Sequence, residues 1–359
     1  MSRSGRLSLV ALMLVCSASV ALAADVVEQR GSATKQSGKI TGVTKDKVSL
    51  ETSKGEKKDI PTNEVLEILW DGEPASLKSA RVHENSGRLQ QALDGFAKAA
   101  TDYKGDSAGI KLDIEYFSIR TLARMALTDP AKLPEVLKKL TDFQSKNNDG
   151  RHFYDVAELL VELNLAKGDA AAAKTAAETL EKATGNEQKM AAKISLGRVA
   201  LLENKVPEAQ QAFESVAGMT GMGPVEESRK QEAKLGVARC LQLQSKFDEA
   251  IKLLDEVIAQ CAPEDAKVQA EAYVRQGDCY QASGKAKDAL MAYLHVDVLF
   301  SSEKAFHPEA LYHLSRLWTA VQQPDRANEA ADKLTAEYPN SPWAQKLKTP
   351  APAAPAAAS

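Results

Sequence analysis

Six alanines recur along this 359-residue chain, each at the start of a short amphipathic stretch. They are Ala92 (RLQQALDGF), Ala173 (DAAAAKTAA), Ala209 (VPEAQQAF), Ala250 (FDEAIKLL), Ala289 (AKDALMAY) and Ala327 (DRANEAA). From Ala173 onward the steps are 36, 41, 39 and 38 residues by subtraction. A repeat of that length holds one pair of helices, which cannot bury its apolar face alone and must stack on its neighbours. The gap of 81 residues between Ala92 and Ala173 leaves room for one irregular pair, filled by Leu112–Leu127 and Leu133–Phe143 and divided by Asp129-Pro130. The spacing predicts a mainly α chain: an α-solenoid of about seven helical hairpins over residues 77–347.

The clearest unit is Glu271–Tyr293, two helical patterns around a turn at Ser283-Gly284-Lys285. Small residues (Gly277, Ala289) stand where two helices touch, and larger ones (Tyr280, Leu290, Tyr293) stand beside them. Small side chains let helices approach closely, and large neighbours fill the groove between pairs. Three sets of positions resemble the tetratricopeptide-repeat family: Leu196-Gly197, Ala209, Phe213; then Gly277, Tyr280, Ala289, Tyr293; then Leu314, Trp318, Ala327, Leu334, Pro339. The resemblance spans about Leu77–Lys346, strong in the last four hairpins and weak over Leu112–Phe143. Val161 and Ser315 depart from its glycine, and Ala177 and Ala331 from its second aromatic. It implies a right-handed stack whose first helices line a concave side.

Ahead of the helices, Gly38–Thr44, Lys47–Thr52, Lys58–Ile60 and Val65–Trp70 read as short strands rich in β-branched residues and split by turn signals. Residues 25–37 read as polar and loosely ordered, with an initial strand at Val26–Gln29. Residues 25–74 are expected to form a small SH3-like or Sm-like barrel. A barrel of this size is marginal alone. Because a repeat stack has apolar end faces, it reads better as a cap on the first hairpin than as a ligand-binding module.

Residues 1–23 have the pattern of a secretory leader: Arg3 and Arg6, an apolar run at Leu7–Val15, and Ala21-Leu22-Ala23 as a small-x-small cleavage site. The expectation is export, to the periplasm or outside the cell, with no membrane-spanning segment left after cleavage. Val15 before Cys16 argues against a lipoprotein. Formal net charge is -3, and removing Arg3 and Arg6 makes it -5. A mildly acidic surface argues against nucleic acid, which is bound by displacing counterions with basic groups. Cys240, Cys261 and Cys279 remain, an odd count that suggests no disulfide framework. Cys240 and Cys279 fall at equivalent places in successive hairpins and read as small buried residues; one bridge stays open as an alternative. Gly218–Pro224 reads as a flexible loop with two exposed methionines, either a surface insertion or a partner contact. The segment 348–359, TPAPAAPAAAS after Lys348, reads as a disordered Pro/Ala tail.

Catalytic patterns are missing. The five histidines include no i, i+4 pair and no His-Cys grouping with zinc spacing. Gly277…Gly284-Lys285 fails as a phosphate loop, because Cys279 and Ala286 stand where Gly and Ser or Thr are needed. Acids fall on helix faces among Lys and Arg, the pattern of solvated faces. No enzyme activity, cofactor or metal is expected. The resemblance places Glu162, Arg198, Arg239, Asp278 and Arg316 on the concave side, with Tyr312 one turn from Arg316. Three arginines there suit an acidic or C-terminal carboxylate segment, since guanidinium pairs carboxylate in a fork. The competing reading pairs them with Glu232, Asp278 or Glu309 inside the groove. The leading expectation is a non-catalytic scaffold of the bacterial cell envelope that binds a protein or peptide. Its rivals are an envelope enzyme or accessory subunit acting on glycan or peptide, and an oligomeric structural protein held through the β module.

Overall fold

The computed structural model describes residues 24–220, 223–263 and 265–348; the leader pattern and the Pro/Ala tail lie outside them. Five strands come first: β1 (Asp25–Gln29), β2 (Gln36–Val43), β3 (Lys47–Glu51), β4 (Lys57–Pro61) and β5 (Val65–Leu69). They pair antiparallel in the order β4-β3-β2-β1-β5. β4 and β5 are the two edges and do not pair, so the sheet is open rather than the closed barrel expected. The N-terminal strand is also better anchored than its polar sequence suggested. β1 lies between two partners, Val27 is fully buried, and the Asp25 carboxylate accepts bonds from the backbone N–H groups of Ile40 and Asp71, both at 2.9 Å.

Fifteen helices follow among the described residues. Seven hairpins, as the spacing predicted, pair α1 (Ala75–Asn85) with α2 (Leu89–Asp102), α3 (Ala108–Ala126) with α4 (Leu133–Lys146), α5 (Phe153–Lys167) with α6 (Ala170–Glu181), α7 (Asn186–Leu202) with α8 (Val206–Ala217), α9 (Pro224–Leu243) with α10 (Phe247–Gln260), α11 (Ala266–Ala282) with α12 (Ala286–Leu299), and α13 (His307–Ala320) with α14 (Pro324–Glu337). α15 (Pro342–Lys348) packs on α13 and α14. None of these helices is long and apolar enough to cross a membrane.

The repeat alanines Ala92, Ala173, Ala209, Ala250 and Ala289 are fully buried, and Ala327 nearly so. Their smallness works together with that of the glycines one helix earlier. A Cβ on Gly197 would sit 2.7 Å from the Phe213 ring, and one on Gly277 would sit 2.7 Å from the Tyr293 ring. Ring and glycine therefore interlock, and the close crossing of each hairpin follows from those two positions. The turns between paired helices repeat as well. Asn204, Ser245, Gly284 and Gln322 all have φ near +60 to +74°, ending each first helix in a left-handed residue that satisfies its last carbonyls. The Gly-Lys pair at 284–285 is one of these turns.

The sheet has no core of its own. Val27, Val48, Leu50, Ile68 and Trp70 join Leu77, Phe96, Ile110 and Phe117 in one continuous apolar cluster that runs on to α6. The Trp70 indole N–H donates to Asp113 at 2.8 Å, and Arg81 pairs with Glu73 and Glu67 at 3.0 and 3.1 Å. The sheet thus leans on the first three hairpins together rather than capping only the first. Its β1–β2 turn reaches further: Gly31 abuts Pro224 at the start of α9 so closely that a Cβ there would be 2.8 Å from the proline ring. The two ends of the stack also meet. Arg124 Nη2 donates to the Ser302 carbonyl at 3.3 Å, and Asn340 Nδ2 donates to Asp129 at 3.2 Å, so the hairpins curl round a nearly closed groove.

Cys240 and Cys279 are buried and unbridged, and burial pushes both thiols up to about 11. Cys261 is unbridged too. Met219 is not exposed as expected: it packs against the core of α7–α11. Met222 lies outside the described residues.

Candidate functional site

The inner faces of α5, α7, α9 and α11 enclose a cavity of about 420 Å3. Helical spacing delivers its charges, since residues four apart share a face: Glu158 and Glu162 from α5, Arg198 from α7, Arg229 and Glu232 from α9, Lys267 and Glu271 from α11. A tighter space of about 100 Å3 continues it toward the sheet, walled by Arg30, Arg151, His152, Tyr154 and Glu187.

One guanidinium organises this region. Arg229 donates from Nε to Glu187 at 2.5 Å, from Nη1 to Glu232 at 2.9 Å and from Nη2 to Glu158. Three carboxylates thus share one cation. Burial raises the Glu158 carboxyl, Arg229 opposes this, and the charges of Glu187 and Glu232 add to it; the result is about 7. Glu232 goes the other way. Burial would raise it, but Arg198 and Arg229 together hold it at about 2.

The sequence-selected groove residues are placed as follows. Arg198 Nη2 lies 2.8 Å from Glu232, and Glu162 lies 2.7 Å from Lys267. Arg239 donates to Gln242 at 2.6 Å and stands 4.0 Å from Asp278. Asp278 is bonded by Arg275 and by the Tyr293 hydroxyl, the latter at 2.7 Å. Tyr312 packs on Trp343 at 5.3 Å between centroids, and the Arg316 guanidinium lies over the Tyr312 ring at 5.6 Å. Arg239 and Asp278 share a second cavity of about 400 Å3 with Arg275, Glu309, His313 and Trp343. Arg198 belongs to the first cavity, so the arginines do not converge on one point.

Reasoning from sequence missed Arg229 and Arg275. Both sit earlier on their helices than the inward position that the repeat pattern marks, and both bridge acids of different hairpins. It also missed a cavity of about 630 Å3 bounded by Phe96, Tyr103, Ile114, Ile119, Leu122 and Phe143, because the irregular pair that forms it gave little pattern to read.

Among the described residues, the group with metal-ligand geometry is Asp278, Glu309 and His313, whose ligand atoms fall within 4.8 Å of one another. Arg275 already bonds both carboxylates, reaching Glu309 at 2.8 Å, so a guanidinium stands where a cation would. Burial, with the charges of Arg275 and Lys346, holds the His313 imidazole down at about 4 against the pull of Asp278. The other buried histidines are structural. His152 lies between Asp113 and Asp155, and His307 lies between Asp297 and Tyr338.

Comparison with known proteins gives two family matches: residues 135–297 match a tetratricopeptide repeat-like domain, and residues 309–341 match a tetratricopeptide repeat. No curated protein sequence matches the chain. Solved structures of similar shape include a tetratricopeptide repeat protein from Parabacteroides merdae, 17% identical, covering 76% of this chain and 95% of that one, with a TM-score of 0.44. A Rap protein complexed with Competence and Sporulation Factor is 15% identical over 76% of this chain and 78% of that one, TM-score 0.46. PilW, described as a type IV pilus biogenesis factor, is 14% identical over 68% of this chain and all (100%) of that one, TM-score 0.42.

Proposed function

We propose that this chain, which carries tetratricopeptide-like repeats over residues 135–297 and 309–341, is a non-catalytic protein-interaction scaffold of the cell envelope that holds an extended segment of a partner in its inner groove. The observation that carries the reading is the groove itself. Four first helices converge on a cavity of about 420 Å3 walled by charged side chains, more than a packed solenoid interior needs. A concave space of this size falls within the range of binding sites.

Glu158, Glu187 and Glu232 in the groove are tied to arginines and Glu162 to Lys267, which gives the groove a fixed pattern of charge for a partner to meet. The envelope location rests on the leader pattern at Arg3, Arg6, Leu7–Val15 and Ala21-Leu22-Ala23. Two measurements test the two halves. Mass spectrometry of the mature N-terminus tests export: a chain starting at Ala24 supports it, and an intact Met1 in the cytoplasm rejects it. Cross-linking in the native cell with partner identification tests the scaffold: a reproducible protein partner supports it, and recovery of the uncross-linked chain alone rejects it.

A further inference from the structure

We infer that the outer face of α12 is the seat of a two-fold dimer, in which this helix packs antiparallel against α12 of a second copy of the chain. The contact lies apart from the groove and does not depend on what the groove holds.

The other repeats show how unusual this face is. Counted from the repeat alanine, the second, fifth and sixth residues of each second helix lie on the side away from the hairpin core. In α8 they are Gln211, Glu214 and Ser215, in α10 Lys252, Asp255 and Glu256, and in α14 Glu329, Asp332 and Lys333; none of them is buried. In α12 the same positions hold Met291, Leu294 and His295, and the stripe runs on through Val298 and Leu299. Met291, Val298 and Leu299 are 54, 71 and 62% exposed. Among the described residues the other exposed large apolar side chains are Leu66, Val82, Leu202 and Leu243, which lie singly on β5, α1, α7 and α9. Scattered apolar residues of that kind are ordinary on a surface, whereas a contiguous set marks a contact.

The spacing of the set is that of a helix-pairing seam. Met291, Leu294 and Val298 are three and four residues apart, so they stand in line on one face. Little polar chemistry interrupts them. From Ala289 to Leu299 the ionisable side chains besides Tyr293 are His295 and Asp297. Asp297 is engaged by His307 and Lys333 at 2.8 and 2.6 Å. The His295 ring is stacked on Tyr273 at 4.6 Å between centroids, and its Nδ1 is bonded to the Met291 carbonyl at 2.7 Å. A helix that is apolar on its outer face as well as its inner one is a helix that something covers.

Charge at the two ends of the stripe identifies a second copy as the cover. Lys287 stands before the stripe and Glu303 after it, and neither side chain forms an ion pair among the described residues. The 14 residues of α12 extend about 21 Å at 1.5 Å per residue, so the two charges cannot meet within one chain. In an antiparallel pair crossing at Leu294 and His295, Met291 falls against the partner's Leu299, and Lys287 falls beside the partner's Glu303. A parallel pair would set Lys287 against Lys287. The face is therefore complementary to itself, as an isologous contact requires. A standard interface buries about 800 Å2 on each side, more than one helix stripe supplies, so the dimer is expected to be weak, with a Kd of about 10 µM.

The test is sedimentation velocity on the purified chain from about 1 to about 200 µM, which brackets that Kd. The sedimentation coefficient should shift from monomer to dimer across the range. Val298→Glu alters an exposed position, so circular dichroism should stay helical while dimerisation weakens by at least about ten-fold, the loss of one buried apolar contact. Lys287→Glu should weaken it several-fold, and Lys287→Glu combined with Glu303→Lys should restore it, since the exchange rebuilds the pair only between two copies of the same chain. A monomer at every concentration overturns the proposal. A dimer indifferent to Val298→Glu is held elsewhere and overturns it too, and a failure of the charge exchange to restore the dimer overturns the antiparallel pairing. A photo-cross-linker at Val298 in the native cell that captures a different protein gives the face to another partner and likewise overturns it.

Discussion

His152 Nε2 lies 2.8 Å from Asp113 Oδ1, and its Nδ1 lies 2.8 Å from Asp155 Oδ2, so one imidazole bridges α3 and the start of α5. The ring is stacked on Tyr116 at 3.6 Å between centroids. Asp113 also accepts the Trp70 indole N–H and stands within 3.8 Å of Arg81 and 3.5 Å of Arg151. This carboxylate therefore ties the sheet to the helical stack.

Removing it strands several buried donors at once. Asp113→Ala is expected to destabilise the fold by about 3–5 kcal/mol, the cost of breaking a buried ion pair by deleting one partner. Urea unfolding measures this as a lower midpoint, and a midpoint unchanged from the parent would show that the cluster does not hold the sheet.

Acid should act on the same carboxylate. Burial alone would raise Asp113, but the charges of Arg151 and His152 and the bonds from His152 and Trp70 outweigh it and hold it at about 2. A free aspartate titrates near 3.9. The native state thus binds its proton later than the unfolded state, and the stabilisation is complete above about pH 4 and lost as pH falls through about 2. Glu158 has the opposite sign. Its native value of about 7 exceeds the unfolded value near 4.3, so its contribution to stability falls as pH rises from about 4 to about 7. Glu158→Gln should flatten that second slope in thermal melts and leave the acid limb in place.

Gly277 makes a sharper test of packing. Gly to Ala inside a helix ordinarily gains about 1 kcal/mol in propensity. Here the added methyl would lie 2.7 Å from the fully buried Tyr293 ring, and overpacking costs about 1–3 kcal/mol. Gly277→Ala should therefore be net destabilising in denaturant titration, and a stabilised variant would mean that the hairpin crossing has slack.

The left-handed turns predict a gain. Gln322 has φ 61°, a conformation that costs an L-residue roughly 1–2 kcal/mol and costs glycine little. Gln322→Gly should raise stability by up to about 1 kcal/mol after the extra entropy of the unfolded glycine is subtracted. Gly284→Gln, the reverse change in the equivalent turn, should lower it. Thermal denaturation of the two variants checks both signs.

Much of this architecture is written at short range. The alanine spacing and the Gly277–Tyr293 and Gly197–Phe213 pairs are local, because each hairpin is a unit of consecutive sequence, and they yielded the seven hairpins. The open sheet was harder to read. Whether β4 meets β5 depends on strand curvature, which alternation alone does not encode. Charge pairing was harder still. Arg229 joins Glu158, Glu187 and Glu232 from three hairpins, and His152 meets Asp113 across 39 residues. Such contacts depend on how hairpins rotate against one another, and no spacing in the sequence reports that rotation. The groove position of Arg198 followed from the repeat pattern, while its pairing with Glu232 came from the competing reading of the same pattern.

The central claim is that a partner lies in the inner groove. The direct measurement is photo-cross-linking in the native cell from single sites: Ser195 and Val268, which line the cavity, and Lys252, exposed on α10. The account predicts that both groove positions capture the same protein and that Lys252 does not. Capture from Lys252 with none from Ser195 or Val268 would contradict it.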